Sequence, residues 1–407
     1  MLSKKIFKRV HSVALFSIVF ASLSPSIAHA HEAHTVGSKS NLAVSVAFDT
    51  QGKLWRASVT DGFIFVDNST NKGKSFSKKV KVNKKPQKVA AKGEARPKIA
   101  IGPKGNIYLT WTQGLKKRFA EYVWFSRSTD GGQSFEQPKI VHQDRAEITH
   151  RYDALNVAPN GSITVTWVDK RDLVAAKKVG KLYTGAAIYY AVSIDGGSSF
   201  QEEKKLADSS CECCRIATTT KPDGTVVALW RHVFEGSERD HMIAEIPKAG
   251  ELVKLTRATF GRWKIYGCPH QGAALARGGE DIDWWGYHMA YFDGKEKKPG
   301  LYYSRMDGEA WVSFPAKKFG NNAKQARHPA LLSVASSVWL VWLETNADDT
   351  KGIVGMSSND GGKTWSDTRL LLSIKGQADY PQLLQFKDNA YLIVNTDKGL
   401  KATLIQP

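Results

Sequence analysis

The amino-acid sequence predicts an all-β fold of seven repeated units, with six units as the alternative. A turn motif of eight residues recurs along the chain, and pairs of apolar strands begin about every 54 residues, the spacing of four short strands with their loops. Of the 407 residues, 42% are hydrophobic and 24% are charged, which is typical of a packed globular protein and not of a disordered chain.

The turn motif reads S-x-D-x-G-x-[ST]-[WF]. In each copy we expect the Asp side chain to cap backbone N–H groups, the Gly to adopt a positive φ and the aromatic ring to fill the space between strands. The motif therefore predicts a tight turn between two antiparallel strands. Clean copies occupy residues 128–135, 193–200 and 358–365, a copy with Asn in place of Asp occupies 69–76, and a degenerate copy occupies 304–311.

The strand pairs set the number of units. Each unit opens with an apolar strand, continues through a Gly or Asp/Asn turn, and enters a second strand that often carries Trp, as in 97–101 followed by 107–111. The last unit, 380–407, has room for only about three strands, so the segment before residue 41 is expected to supply a fourth and close the ring. The predicted openings lie near residues 42, 96, 151, 213, 269, 328 and 380.

The motif resembles the Asp-box, or BNR, repeat of sialidase-like β-propellers, and the resemblance extends over essentially the whole chain after residue 30. It implies a β-propeller in which each motif joins the third and fourth strands of a blade. We expect one propeller domain over residues 31–407. Sialidases have six blades, so a seventh blade would depart from that family.

The first 30 residues are predicted to be a cleaved signal peptide. They combine a basic start, an apolar stretch over 13–23 and the small-x-small site Ala28-His29-Ala30. The mature protein is therefore expected in the periplasm or outside the cell, and no later stretch is long and apolar enough to span a membrane.

Loss of this segment lowers the formal net charge from +19 to +15. The excess comes mostly from lysine runs, which predict a solvated basic surface that tolerates anionic polysaccharide. Nucleic acid is not expected as a partner of an exported protein.

The residues that open the first strands are the candidate functional residues. In a propeller these strands line the central channel, so their openings meet at one mouth. All four cysteines fall at the openings of two consecutive units, and we therefore expect them to lie close together. The predicted mouth residues are Arg96, Arg151, Cys211, Cys213, Cys214, Arg215, Cys268, His270, Arg327, His328 and Tyr380.

Clustered thiolates with a nearby imidazole favour a soft metal ion, so we predict bound copper, with zinc as the alternative. The expected ligands are Cys213, Cys214, Cys268 and His270, with Cys211 as a ligand or a disulfide partner and His328 within reach. Arg215 is expected to favour the thiolate form. Further candidate ligands are Met242 and Met289, beside the cluster, and His31 and His34, at the predicted mature N-terminus.

The pattern C-E-C-C with a downstream C-P-H also resembles a subgroup of exported bacterial sialidase-like propellers found among copper-responsive proteins. That resemblance implies a partner that is another exported or outer-membrane copper-handling protein.

Two alternatives stay open at this point. The first is a sialidase-like glycoside hydrolase or glycan-binding protein: sialidases grip a carboxylate with three arginines, to which Arg96, Arg151 and Arg327 correspond, and use a Tyr–Glu pair, to which Tyr380 contributes. Against it, Arg96 precedes Pro directly, no Glu stands out beside Tyr380, and cysteines fill the mouth. The second is a protein-interaction propeller with structural disulfides, in which the 169–181 insertion and Trp284–Trp285 form the contact surface.

Overall fold

The computed structural model describes residues 42–247, 251–279 and 284–406. Within these residues the chain forms a seven-bladed β-propeller of antiparallel sheets with almost no helix. The prediction of seven blades is confirmed, and the six-blade alternative is wrong. The predicted signal peptide and the predicted extra strand before residue 41 lie outside the described residues.

Blades 1 to 3 occupy the first half of the described chain. Their strands are β1 (Ser45–Phe48), β2 (Leu54–Thr60), β3 (Phe63–Ser69) and β4 (Val80–Lys81); β5 (Lys88–Val89), β6 (Lys98–Ile101), β7 (Ile107–Gly114), β8 (Glu121–Ser128) and β9 (Lys139–Ile140); and β10 (His150–Val157), β11 (Ile163–Asp169), β12 (Ala186–Ser193) and β13 (Lys204–Ser210).

Blades 4 to 7 complete the ring, and blade 7 has three strands in the described residues. Their strands are β14 (Ala217–Thr220), β15 (Val226–Arg231), β16 (His241–Glu245) and β17 (Thr256–Arg257); β18 (Ala274–Gly278), β19 (Gly286–Asp293), β20 (Gly300–Asp307) and β21 (Lys317–Phe319); β22 (Arg327–Val334), β23 (Ser337–Thr345), β24 (Lys351–Ser358) and β25 (Arg369–Ile374); and β26 (Gln382–Phe386), β27 (Asn389–Thr396) and β28 (Gly399–Ile405).

In the part of the chain that the structure describes, helical turns occur only in connections. The insertion in blade 3 forms α1 (Arg171–Lys178), and single 3-10 turns occupy Glu235–Ser237 and Asn322–Lys324. No helix among the described residues has the length and apolar character needed to cross a membrane.

The first strands form the wall of the channel. They contact one another in the order β1, β6, β10, β14, β18, β22 and β26, and β26 contacts β1 again. Blade 2 departs from the pattern because β5 and β6 both pair with β7 along the same edge. The inner edge of that blade is therefore split, and residues 90–97 form a loop at the channel mouth.

Among the described residues, seven hydrophobic clusters each lie between two adjacent blades. The cluster between blades 7 and 1 contains Val46, Leu54, Tyr391 and Ile393, so the ring closes by side-chain packing. The Lys72 ammonium adds a 2.6 Å hydrogen bond to the Tyr391 hydroxyl across the same boundary.

Tryptophans of the second strands fill these interfaces. Trp111, Trp167, Trp230 and Trp342 are fully buried, and loss of such a side chain typically costs about 3–5 kcal/mol. The Trp positions noted in the sequence therefore mark the blade interfaces.

The recurrent turns lie between the third and fourth strands of their blades. In blade 2 the Asp130 carboxylate accepts hydrogen bonds from the backbone N–H groups of Gln133 and Ser134, at 3.0 Å each, and Ser128 donates to it at 2.6 Å. Phe135 packs into the cluster between blades 1 and 2. The same carboxylate-to-backbone bonds recur at Asp195 and Asp360.

The glycine of the motif is required for two reasons, as Gly132 shows. Its φ is +81°, and a Cβ there would lie 2.6 Å from the Trp55 ring of the preceding blade. Only glycine meets both conditions, because other residues rarely adopt this φ and a side chain would collide with the neighbouring blade.

Candidate metal centre and channel mouth

The loop between β13 and β14 carries three of the four cysteines, and backbone contacts hold it at the mouth. The Cys211 N–H donates to the Arg231 carbonyl at 2.8 Å. From blade 3, the Arg151 guanidinium donates to the Glu212 carbonyl at 3.0 and 2.6 Å, and Lys170 forms an ion pair with the Glu212 carboxylate. Charged groups of one blade thus fix a loop of the next.

The four cysteines converge and all are free thiols. The Cys211 sulfur lies 3.5 Å from the Cys213 sulfur and 3.8 Å from the Cys214 sulfur. A disulfide needs about 2.05 Å. Instead, these separations are similar to those between sulfurs that share one metal ion, which are about 3.8 Å for tetrahedral bonds of about 2.3 Å.

A second group of ligand atoms shares a cysteine with the first. The sulfurs of Cys213 and Cys268 and a ring nitrogen of His270 all lie within 4.8 Å of one another, as do the three sulfurs of the first group. Cys268 and His270 precede β18 in blade 5, so the two groups meet at the boundary between blades 4 and 5, with Cys213 common to both.

Exposure is graded across this cluster. Cys211, Cys213 and Cys214 are buried and pack with Val233, whereas Cys268 is half-buried and His270 is exposed. An ion would therefore enter past Cys268 and His270 and reach the buried sulfurs beyond them.

Hydrogen bonds within the cluster lower the pKa of some thiols and raise the pKa of others. Donation from the thiols of Cys213 and Cys214 lowers the pKa of Cys211, with the Arg231 guanidinium adding to the effect. A hydrogen bond with Cys213 likewise lowers the pKa of Cys268. These donations, together with burial, raise the pKa of Cys213 itself.

Several predicted ligands lie elsewhere. Met242 and Met289 are buried in the hydrophobic clusters on either side of blade 4. His328 lies on the blade 6 side of the mouth, outside both ligand groups. His31 and His34 are outside the described residues.

Glu94 connects opposite sides of the channel mouth. It lies in the blade 2 loop and is 8% exposed, and its carboxylate accepts from the Gly272 N–H of blade 5 at 2.7 Å and the Arg215 N–H of blade 4 at 3.2 Å. The His328 Nδ1 of blade 6 lies 3.6 Å away. One side chain therefore contacts three blades that are not adjacent to its own.

This carboxylate is ionised over a wide pH range. Burial alone would raise the pKa of Glu94, but the Arg215 charge, His328 and the Gly272 N–H outweigh burial and hold the pKa at about 2. The Arg215 guanidinium also donates to the carbonyls of Ala273 and Pro329, at 3.0 and 2.9 Å. Arg215 thus lies against Glu94, while Arg231 is the guanidinium that acts on the buried thiols.

Tyr380 lies beside this group. The His328 and Tyr380 rings stack with centroids 3.4 Å apart, and burial, followed by the Glu94 charge, raises the pKa of Tyr380. A glutamate therefore does accompany Tyr380, although the sequence showed none near it. Glu94 carries no sequence signal, because it lies in a loop without repeat features.

The three predicted arginines each bind protein groups. Arg96 forms a buried two-pronged ion pair with Asp379, at 2.6 and 2.8 Å. Arg151 holds the cysteine loop as described above, and Arg327 donates to Gln325 and Thr345. Each of the three guanidiniums therefore already binds groups of this chain.

Two β-bulges and a half-buried lysine also form the mouth. The register of β10 shifts between Arg151 and Ala154, and that of β22 between Arg327 and Ala330. Within these bulges Tyr152 and His328 adopt φ of 54° and 53°. Burial lowers the pKa of the nearby Lys98 to about 8.

Comparisons with known proteins support the fold. No protein-family model matches the chain, and no curated protein matches it. Among solved structures, an ulvan lyase bound to a GlcA(1-4)Rha3S segment has a TM-score of 0.53 at 11% identity, over 91% of this chain and 94% of the lyase. At this identity the likeness shows the fold alone.

Two further similar structures fall below that TM-score. A Hadza microbial sialidase has 0.48 at 15% identity, over 86% of this chain and 76% of its own. A Penicillium chrysogenum α-L-arabinanase complexed with arabinobiose has 0.46 at 13% identity, over 74% and 88%. The solved structures similar to this chain thus include sialidase, arabinanase and lyase β-propellers at low identity.

Proposed function

We propose that this protein is an exported metal-binding propeller whose cysteine cluster binds Cu(I) for storage or delivery. The observation that carries the proposal is the convergence of four free thiols and His270 into two ligand groups that share Cys213. Thiolates are soft ligands and select Cu(I) over harder ions, with Zn²⁺ as the alternative.

The graded exposure of the cluster favours handling over catalysis. A copper ion would enter at the accessible Cys268 and His270 and be retained by the buried sulfurs. A partner that exchanges the ion would contact this edge, and we propose another exported or outer-membrane copper-handling protein in that role.

The test is a titration of the reduced protein with Cu(I) against a competing chelator. Wild-type protein should bind about one equivalent, and Cys213→Ser, which removes the shared ligand, should abolish tight binding. Cys214→Ser and Cys268→Ser should each weaken affinity at least ~100-fold. Met242→Leu is the matched control, because this thioether lies in the core and its loss should leave affinity unchanged.

Equal affinity for wild type and all three serine variants would remove the copper proposal. The same titration with Zn²⁺ distinguishes the two metals: tighter binding of Zn²⁺ than of Cu(I) would assign the site to zinc.

The second candidate is a sialidase-like protein that binds or cleaves an acidic glycan, and one observation favours it: Glu94 and Tyr380 lie together at the mouth with His328. In addition, the ulvan lyase that is similar in fold was solved bound to a GlcA(1-4)Rha3S segment, so this architecture can hold an acidic glycan. Against it, the arginines are already bound to protein groups.

A fluorogenic sialoside separates the two candidates. The copper proposal predicts no release beyond that in buffer. Release that Tyr380→Phe abolishes, with Tyr183→Phe as the control at a tyrosine of blade 3, would establish the glycan candidate instead.

A further inference from the structure

A second cluster of potential ligands lies in blade 3, and it contains no sulfur. The Nε2 atom of His150 and one carboxylate oxygen each of Asp144 and Asp169 lie within 4.8 Å of one another. His150 opens β10, Asp169 ends β11 directly opposite it in the sheet register, and Asp144 belongs to the preceding loop.

The orientation of the His150 ring is fixed by the backbone. Its Nδ1 lies 3.0 Å from the Glu121 carbonyl oxygen, and because a carbonyl can only accept, Nδ1 carries the hydrogen. Nε2 is then directed at the two carboxylates. An imidazole held through its other nitrogen by a backbone carbonyl is the usual arrangement of a metal-ligating histidine.

The whole His150 side chain is 0% exposed, and its Nε2 atom has no hydrogen-bond partner. Nothing in the described protein therefore satisfies this buried nitrogen. It lies 3.6 Å from an Asp169 oxygen and 3.8 Å from an Asp144 oxygen. These distances exceed the 2.7–3.2 Å of an N–H···O bond. They approach the separation of about 3.3 Å between two ligands on one tetrahedral ion with bonds of about 2.0–2.1 Å.

The charged groups around this cluster carry an excess of negative charge, which also favours a bound cation. Three carboxylates, those of Asp144, Asp169 and Glu203, face the single guanidinium of Arg171. The four groups together carry a net charge of −2, which a divalent cation would neutralise. Asp144 is 21% exposed, so the ion has a route from solvent.

We propose that His150, Asp144 and Asp169 bind a divalent transition-metal ion such as Mn²⁺ or Zn²⁺, with water completing its coordination. Imidazole and carboxylate oxygen suit ions of this class, and the ligand set excludes the preference for Cu(I) that thiolates give. The site is independent of the copper proposal, because it shares no ligand with the cysteine cluster. By fixing the start of β10 it would also hold the adjacent Arg151 against the cysteine loop.

The test uses the full mature chain and Mn²⁺, which thiolates bind poorly. Electron paramagnetic resonance measures the signal of free aqueous Mn²⁺. The loss of this signal on addition of protein should saturate at about one Mn²⁺ bound per protein. Asp144→Asn keeps the shape and the acceptor for the Ala146 N–H but removes one ligand charge, and should weaken binding at least ~100-fold. Asp172→Asn, at a similarly exposed acid of the same blade, is the control and should bind as wild type does.

A second readout does not depend on the variants. Mn²⁺ should raise the melting temperature of the wild type and of Asp172→Asn, but not that of Asp144→Asn. Absence of saturable Mn²⁺ binding by the wild type, or equal binding by Asp144→Asn, would overturn the proposal and leave His150 as a buried side chain beside two carboxylates.

Discussion

Substitution of Glu94 by Gln should destabilise the propeller in a manner that depends on pH. The carboxyl has an ordinary pKa of 4.5 and a pKa of about 2 in the folded protein. The difference corresponds to about 3 kcal/mol of stability at neutral pH, since each tenfold change in proton affinity is worth about 1.4 kcal/mol. Gln keeps an acceptor for the Gly272 N–H, but it removes the charge that faces Arg215 and His328.

The sign of the pH dependence follows from the lowered pKa. The contribution is complete above pH 4.5 and is lost as the pH falls towards 2, because the unfolded state binds the proton first. About 2 of the 3 kcal/mol should be gone by pH 3. The difference in free energy of unfolding between wild type and Glu94→Gln, called the gap below, should therefore narrow by that amount between pH 7 and pH 3.

Urea denaturation of both proteins at pH 7, 4 and 3 measures this gap. Glu136→Gln is the matched control, because Glu136 pairs with Arg127 at 2.8 Å on the surface and its side chain is 41% exposed; its effect should stay within about 1 kcal/mol. A gap below 1 kcal/mol at pH 7, or one that is the same at pH 3, would refute the assignment of Glu94 as the charged contact between blades.

Three further predictions concern the fold and the termini. Asp130→Ala and Asp195→Ala should each lower the free energy of unfolding by about 1–3 kcal/mol without changing Cu(I) affinity; a change in affinity would contradict their structural role. Gly132→Ala should cost about 1–3 kcal/mol more than Gly131→Ala in thermal or urea unfolding, because both have positive φ but only Gly132 meets a neighbour; equal costs would refute the close-approach argument. N-terminal sequencing of protein from its native compartment should begin at His31, and an intact Met1 would contradict cleavage.

The fold could be predicted because its determinants are local and repeated. Each turn copy places a short-range cap and an aromatic plug at a fixed spacing, and each Trp-bearing second strand fills one blade interface. These signals appear several times, so the strand openings at Arg327 and His150 fall within a few residues of the predicted positions. The closing contact between blades 7 and 1 includes the turn copy at 69–76, through Lys72, but its buried cluster contains no Trp.

Less of the candidate site than of the fold could be predicted from the sequence. Convergence of the cysteines follows from the ring, because neighbouring first strands must open side by side. Glu94 does not follow from it, since it lies in a loop created by the split edge of blade 2. The bulges that set Tyr152 and His328 at positive φ also lack a sequence signal, because Tyr rarely adopts that conformation and a single His does not mark it.

The buried Glu94 carboxylate is hydrogen-bonded to both chain segments that carry the cysteine cluster. Arg215 directly follows Cys214, and Gly272 lies two residues after His270, so the two N–H groups that bind Glu94 belong to the two cysteine-bearing segments. Glu94 therefore sets the distance between the blade 4 sulfurs and the blade 5 ligands. Without a disulfide between these segments, an ionised side chain and not a covalent bond holds the ligand groups in register. Under the copper proposal this arrangement would let both groups adjust to the bond lengths of the ion, which a cross-link would prevent.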